Sequence, residues 1–418
     1  MIVKTSYVFI LCFILNFSCS KKNEIRVAKV DDHGIFLTAF KVRYQDFLAN
    51  QIQDDNLMNR YLFLNNVIDE TLFLKYAHEL SINDEEDYLK KKEDIENQLL
   101  LNEYFNKKVN IDFIPTNSEI RNLYKWQNTT IHVRHLFSRD KNKINELKKR
   151  LNLGADWEGL AYECFQDSTL KNNGGDLGWH KYGELDTRFE IKAFALKPGE
   201  ISEPIKTKDG YSIIQLIESE LQGFLIEDDY QSRKNKLIEL AKNVRQKKNL
   251  IDLTDETLQS MNVNFDEKVL DNLYQLLQSK QKSIEPFYND KLVSFDNKNW
   301  NVFQSIEQLS DLSLRQLSRI DSPFYLKEAL LGLIVRESFL NDSKKANLHK
   351  SKSFIDQLDK HLNQYLVSYV MKKLEITSPT DSLIGQEKIR ERYFSFRNQL
   401  ALEANILIDS VAIKTFIM

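Results

Sequence analysis

Eight residues constrain this chain more than any other stretch: Asn172-Asn173-Gly174-Gly175-Asp176-Leu177-Gly178-Trp179. Three glycines and two asparagines in so short a span make a turn that only small or left-handed-tolerant residues can build. Segments on both sides alternate strand and helix signals. Upstream is Ile131-His132-Val133-Arg134-His135-Leu136-Phe137. Downstream are Phe189 to Leu196, closed by Lys197-Pro198-Gly199-Glu200-Ile201, and then Gly210-Tyr211-Ser212-Ile213-Ile214-Gln215-Leu216. A glycine turn set between such elements predicts a small mixed domain in the middle of the chain.

The rest of the chain sets the frame. Its 418 residues correspond to two or three domains. With 28% charged and 42% hydrophobic residues it has ordinary soluble composition, and only 12 Gly and 6 Pro predict long helices with little linker. A formal charge of −3 argues against nucleic-acid binding, which needs a basic face. No metal-ligand spacing, nucleophile elbow or phosphate loop is present, so hydrolase and nucleotide-dependent readings have no support and no cofactor is expected.

Residues 1–18 read as a signal peptide. Lys4 is followed by a mostly apolar run from Tyr7 to Phe17, too short to span a membrane, and no later run is long enough. Leu15-Asn16-Phe17-Ser18-Cys19, with polar Ser20-Lys21-Lys22-Asn23 behind it, resembles a bacterial lipobox, from which Asn16-Phe17 departs. That resemblance implies lipid on Cys19 and a membrane held through it; an ordinary secretory signal is the alternative. No acidic residue directly follows the lipid site, which favours an outer-membrane anchor facing the periplasm. Cys12 would leave with the signal, so Cys164 would be the one free thiol and no intrachain disulfide could form.

The ordered series from Ile131 to Leu216 resembles the parvulin (PpiC-type) peptidyl-prolyl isomerase domain over roughly residues 127–220. Rotation about a peptide bond meets a barrier near ~20 kcal/mol, because nitrogen donates electron density to the carbonyl. A catalyst therefore needs no nucleophile. It must seat the prolyl ring in an apolar hollow, exclude water and favour the twisted amide. Position by position, the resemblance implies catalytic-network roles for His135, Asp167, Thr207 and Ser212. It implies an apolar floor of Leu177, Leu185 and Phe189, with His180 at the rim. Ser212 stands where the family carries its second histidine, which shortens the network. Each assignment has a plainer counterpart. His135 also fits a core histidine, Asp167 a turn or helix cap, and Phe194 and Cys164 core packing, while His132 and Arg134 are expected to face solvent.

Residues 24–126 read as a hairpin followed by helices, with Thr38 capping the first, and 221–285 as a helical connector. Residues 286–418 look like a repeat of 24–126. Val30 to Ile35 can be laid on Phe295 to Trp300, and Tyr104-x-x-Lys107-Lys108-Val109-x-Ile111 on Tyr369-x-x-Lys372-Lys373-Leu374-x-Ile376, both at an offset of 265 residues. Pro115-Thr116 then pairs with Pro379-Thr380; unrelated helical segments rich in Lys and Leu are the alternative. The apolar run Ala404 to Ile413 is expected to be tied down on the first module. The expectation is an α+β chain, its antiparallel parvulin-like sheet domain inserted between two mainly α-helical modules resembling those of SurA-like and PrsA-like chaperones. The implied function is prolyl isomerisation and chaperoning of exported envelope proteins, with extended X-Pro polypeptides as partners. A non-catalytic holdase or a structural lipoprotein subunit are the alternatives.

Overall fold

The structure, a computed structural model, describes residues 24–110, 113–279, 287–375 and 383–417. The signal segment, Cys19, Ile111, Ile376 and Pro379-Thr380 lie outside these described residues. In chain order the elements are β1 (Arg26–Val30), β2 (His33–Phe36), α1 (Leu37–Gln51), α2 (Leu57–Glu79), α3 (Glu86–Lys108) and α4 (Asn117–Gln127). Then come β3 (Thr129–Ser138), α5 (Lys141–Asn152), α6 (Trp157–Cys164), α7 (Ser168–Asn172), β4 (Asp176–Lys181), α8 (Thr187–Ala195), β5 (Ile205–Thr207) and β6 (Gly210–Leu221). They are followed by α9 (Glu227–Ser260), β7 (Asn264–Phe265), α10 (Glu267–Gln278), β8 (Lys291–Phe295), β9 (Lys298–Asn301), α11 (Val302–Ser310) and α12 (Leu314–Leu317). The chain continues through α13 (Pro323–Lys345), α14 (Lys352–Lys373), α15 (Leu383–Glu403), β10 (Ile406–Ile408) and α16 (Ser410–Thr415). No helix among the described residues is long and apolar enough to cross a membrane.

The contacts divide the chain into two compact units, 1–96 with 355–418, and 97–354. In the first, β1 lies between β2 and β10, both antiparallel to it, with Ala28 opposite Ile408 and Val30 opposite Ile406. The apolar run near Ile406 is thus docked on the first hairpin. Val27, Phe40, Tyr44, Leu64, Ile68 and Ile413 are buried together beneath this sheet. Arg60 closes the cluster: its guanidinium lies 3.9 Å over the Phe416 ring and donates to the carbonyls of Ile413 and Lys414 at 3.1 and 3.2 Å. The buried carboxylate of Asp69 on α2 accepts from Tyr393 Oη and Arg397 Nε of α15, each at 2.8 Å. Thr38 does not cap α1. The strand runs directly into the helix, Phe36 takes the cap position, and no side chain serves it.

The second unit holds two sheets. One is three-stranded, β7-β8-β9, over a core of Leu270, Leu292, Val293, Leu326, Leu330 and Ile334. Its hairpin is built like that of the first unit. Asp296 turns it with φ 45°, as Asp31 turns the other with φ 49°. The Asp296 amide donates to the Met261 carbonyl, and the Asp31 amide to that of Asn405. After the third strand, Asp266 and Asp409 each cap a helix through two backbone amides.

The other sheet, β4-β3-β6-β5, is antiparallel throughout and positions the candidate site. Strand residues alternate between its faces. Ile131, Val133, Ile214 and Leu216 pack with Phe189, Ala193 and Phe194 of α8. Leu136 and Ile213 pack on the other side with Ile144, Leu147, Trp157, Leu160 and Phe165. Half-buried Cys164 packs against this second cluster, and burial pushes its thiol pKa up. A helical pair, α4 and α9, flanks the domain. Thr116 and Glu119 form a reciprocal capping box that starts α4.

Candidate active site

The glycine turn and β3 fix each other. The His135 amide donates to the Gly175 carbonyl at 3.0 Å, and the Gly175 amide to Leu170 at 2.7 Å. Gly175 has φ 72°, and a Cβ there would stand 2.0 Å from the His135 carbonyl oxygen. Trp157 Nε1 donates to the Gly174 carbonyl, while Asn173 exchanges two hydrogen bonds with the Asp176 backbone across the turn.

His135 sits between three aromatic rings. Its centroid is 5.3 Å from Phe165, 5.8 Å from the edge-on ring of Phe189 and 6.1 Å from Phe137. Nδ1 lies 3.2 Å from the Ser212 hydroxyl, which is itself buried. Nε2 is closed off from solvent and has no hydrogen-bond partner among the described residues. Burial pushes the imidazole pKa down from 6.5 to about 4, so the ring is neutral near pH 7. A neutral imidazole has one donor and one acceptor nitrogen. Ser212 engages Nδ1, which leaves Nε2 as a single uncommitted polar atom in an apolar surround.

This burial has a measurable consequence. Above pH 6.5 folded and unfolded chains both carry a neutral His135. Between pH 6.5 and about 4 the unfolded chain takes up a proton that the folded one refuses. Folding stability is thus fully present above pH 6.5 and falls by about 3 kcal/mol as pH drops to 4. The imidazole resonance of His135 followed by NMR should show its inflection near 4; an inflection near 6.5 would contradict the enclosure.

The apolar floor is assembled around the same ring. Phe189 is 5% exposed, and Leu177 and Leu185 pack partly buried against its cluster. Glu190, next to Phe189 on α8, is buried. Its carboxylate accepts the backbone amides of Gly183, Glu184 and Leu185, while burial raises its pKa. It thereby holds the loop that carries Leu185. Glu190 and Phe165 were not picked out from the sequence. The readable signal for Glu190 was a carboxylate inside the apolar run from Phe189 to Leu196.

Other expected site residues are placed differently. Asp167 is exposed and spends one carboxylate oxygen capping α7 through the Thr169 and Leu170 amides. Thr207 is buried and donates to the Gly210 carbonyl at 3.1 Å, closing the β5–β6 turn. No hydrogen bond joins either to His135 or Ser212 among the described residues. His180 Nε2 donates to the Leu177 carbonyl at 3.0 Å, and its Nδ1 lies 3.5 Å from Glu184, so the ring braces β4 beside the floor. His132 and Arg134 do not simply face solvent. His132 bonds both Asp176 oxygens, at 2.8 and 3.0 Å, and lies against Trp179. Arg134 bridges Gln215 and Glu158 over the Trp157 ring. A cavity of about 290 Å³ lined by Phe113, Leu123, Trp126, Ile191 and Val244 lies between α4, α8 and α9 and shares no residue with the His135 cluster.

Residues 138–218 match the family model for the rotamase PPIC-type PPIASE domain. The domain is a parvulin-type peptidyl-prolyl isomerase. Two relatives show how far the likeness extends. The foldase protein PrsA 2 of Bacillus cereus is 28% identical over 234 residues, covering 51% of this chain and 78% of that protein. The foldase protein PrsA of Geobacillus kaustophilus is 38% identical over 109 residues, covering 26% of this chain and 39% of that protein. Identity is thus denser over the shorter match. Among solved structures, a SurA-like chaperone of Campylobacter jejuni is 24% identical, covers 58% of this chain and all of that one, and has a TM-score of 0.29. The chain is thus similar to foldase proteins, and the similarity takes in its rotamase-type domain.

Proposed function

We propose that this chain is a lipid-anchored prolyl isomerase and chaperone for exported envelope proteins, its parvulin domain inserted between two copies of one helical module. The observation that carries the isomerase part is the pairing of neutral His135 with Ser212, which leaves Nε2 uncommitted beside Phe189. A prolyl ring seated on Phe189, Leu185 and Leu177 excludes water from its amide. The planar amide loses hydration there, whereas the twisted amide, whose carbonyl and nitrogen are no longer conjugated, loses less. No bond to the enzyme forms. His135 and Ser212 supply polarity without charge. Ser212 takes the place of a second ring by holding His135 at Nδ1, where its hydroxyl can donate or accept.

The two modules are supported as copies by their matched hairpin turns at Asp31 and Asp296, each followed by a helix from Leu37 or Val302. Anchoring is supported by the lipobox-like Leu15 to Cys19, and a periplasm-facing outer-membrane location by the polar residues behind it. Extended segments that contain X-Pro are the expected clients, bound through alternate side chains.

One experiment addresses these parts together. Full chain recovered from membranes is expected to accelerate proline-limited refolding, and Phe189→Ala to lose at least about tenfold of that acceleration by removing the ring that seats proline. Cys19→Ser is expected to release the chain from the membrane fraction with refolding activity retained. Failure of the intact chain to accelerate refolding, with client aggregation still suppressed, would replace catalysis by holding, the reading that Ser212 in a histidine position favours.

A further inference from the structure

We propose that the first turn of α13 is an autoinhibitory latch seated on the rim of the isomerase hollow, an inference that rests on the isomerase reading above. Tyr325 Oη donates to Asp209 Oδ1 at 2.7 Å. The Arg139 guanidinium lies 5.1 Å from the Phe324 ring and 5.3 Å from that of Tyr325, and the two rings meet edge to face at 5.2 Å. One helical turn further on, Glu328 pairs with Lys206 at 3.7 Å. From α9, Asp255 pairs with Arg188 at 2.8 Å, and Arg188 reaches the Lys206 carbonyl.

These partners adjoin the ends of β3 and β6, the strands that carry His135 and Ser212. Asp209 lies in the β5–β6 turn, three residues before Ser212, and Arg139 follows β3, four residues after His135. At about 3.3 Å per strand residue both stand roughly 10–13 Å from the imidazole. The turn is pressed onto the site wall, since a Cβ on Gly210 would lie 2.8 Å from the Ser138 carbonyl and 2.9 Å from the Phe137 ring. An extended client with proline in the hollow covers the same distance with three or four flanking residues. Where α13 stands, a client leaving the hollow in this direction meets the latch.

The contact has the character of something that opens. Further along α13, Leu326, Leu330, Leu333 and Ile334 are fixed in the core of the helical module. Phe324 and Tyr325 are only half-buried, and what they make with the rim is polar or cationic. The Ser322 hydroxyl just before them is buried with no hydrogen-bond partner among the described residues, which costs the closed arrangement some free energy. A hydrogen bond to a carboxylate is worth roughly tenfold in an equilibrium. The closed state is therefore favoured by a margin that a client or one substitution can overcome, and the apparent activity is reduced by the open fraction.

The test measures kcat/KM of the full chain on a short proline peptide. Tyr325→Phe keeps the ring and removes the hydroxyl; it is expected to raise kcat/KM roughly tenfold. Asp209→Ala removes the acceptor from the other side and should give a similar rise, and the double variant should exceed neither single one. That non-additivity is a signature that general loosening does not give. Unchanged or lower kcat/KM in both variants, with the wild-type chain active, overturns the latch and leaves the isomerase reading intact. No isomerisation by wild type or by either variant overturns both.

Discussion

Alanine in place of Gly175 is expected to cost the isomerase domain about 2–5 kcal/mol and with it the site. The left-handed backbone at φ 72° disfavours any L side chain by about 1–2 kcal/mol. Overpacking adds about 1–3 kcal/mol, because the new methyl would stand 2.0 Å from the His135 carbonyl oxygen and 2.7 Å from the Phe165 ring. Moving either neighbour drags the strand that carries the imidazole. Gly178 is the control: it has a similar φ of 78° and nothing within 4 Å of its missing Cβ. Gly178→Ala should cost about 1–2 kcal/mol, the backbone part alone. Urea unfolding of both variants separates the two, and equal midpoints would mean that the close approach at Gly175 does not exist.

Truncation after Glu403 is expected to unfold the unit of residues 24–96 and 355–403 while the unit of 97–354 persists. It removes β10, which supplies one edge of the three-stranded sheet, together with buried Ala412, Ile413 and Phe416. Burying a large apolar side chain contributes about 1.5–3 kcal/mol, so Ile413 and Phe416 together carry a sum comparable to the margin of a whole domain. Arg60 would also lose its carbonyl partners and the ring beneath it. Limited proteolysis read by mass spectrometry should find new cuts within α1 and α2, with the segment from β3 to α13 protected. Protection of α1 and α2 unchanged by the truncation would show that the tail is ornamental.

Much of the site was legible because its physics is local. The glycine turn, the strand period around His135 and the amphipathic face of α8 each depend on neighbours a few residues away. What sequence could not decide was how a polar side chain is spent. Asp167 at the start of a short helix looks the same whether its carboxylate caps amides or faces a substrate, and here it caps. Thr207 looks the same whether its hydroxyl joins a ring nitrogen or closes a hairpin, and here it closes one. His132 sits at an alternate strand position that suggests solvent, yet Asp176 folds back to meet it through the glycine turn. Glu190 reads as an ordinary helix carboxylate until the loop above it is seen to need an acceptor. Strand partnership is the other gap, since the apolar alternation of β1 says that it is half-buried but not that β10 lies beside it.

That partnership has a bearing on the order in which the molecule becomes whole. In the hairpin near Asp296, the bond from Ser294 to Asn264 joins residues 30 positions apart. Near Asp31, the bond from the Asn405 amide to the Asp31 carboxylate joins residues 374 positions apart. The first closure is short and therefore quick; the second must wait for nearly the entire polypeptide. A ribosome or translocon that delivers the amino end first would leave the edge of β1 bare through most of that delivery. One hairpin is finished in passing, and the other serves as the clasp that fastens only when the strand at Ile406 arrives.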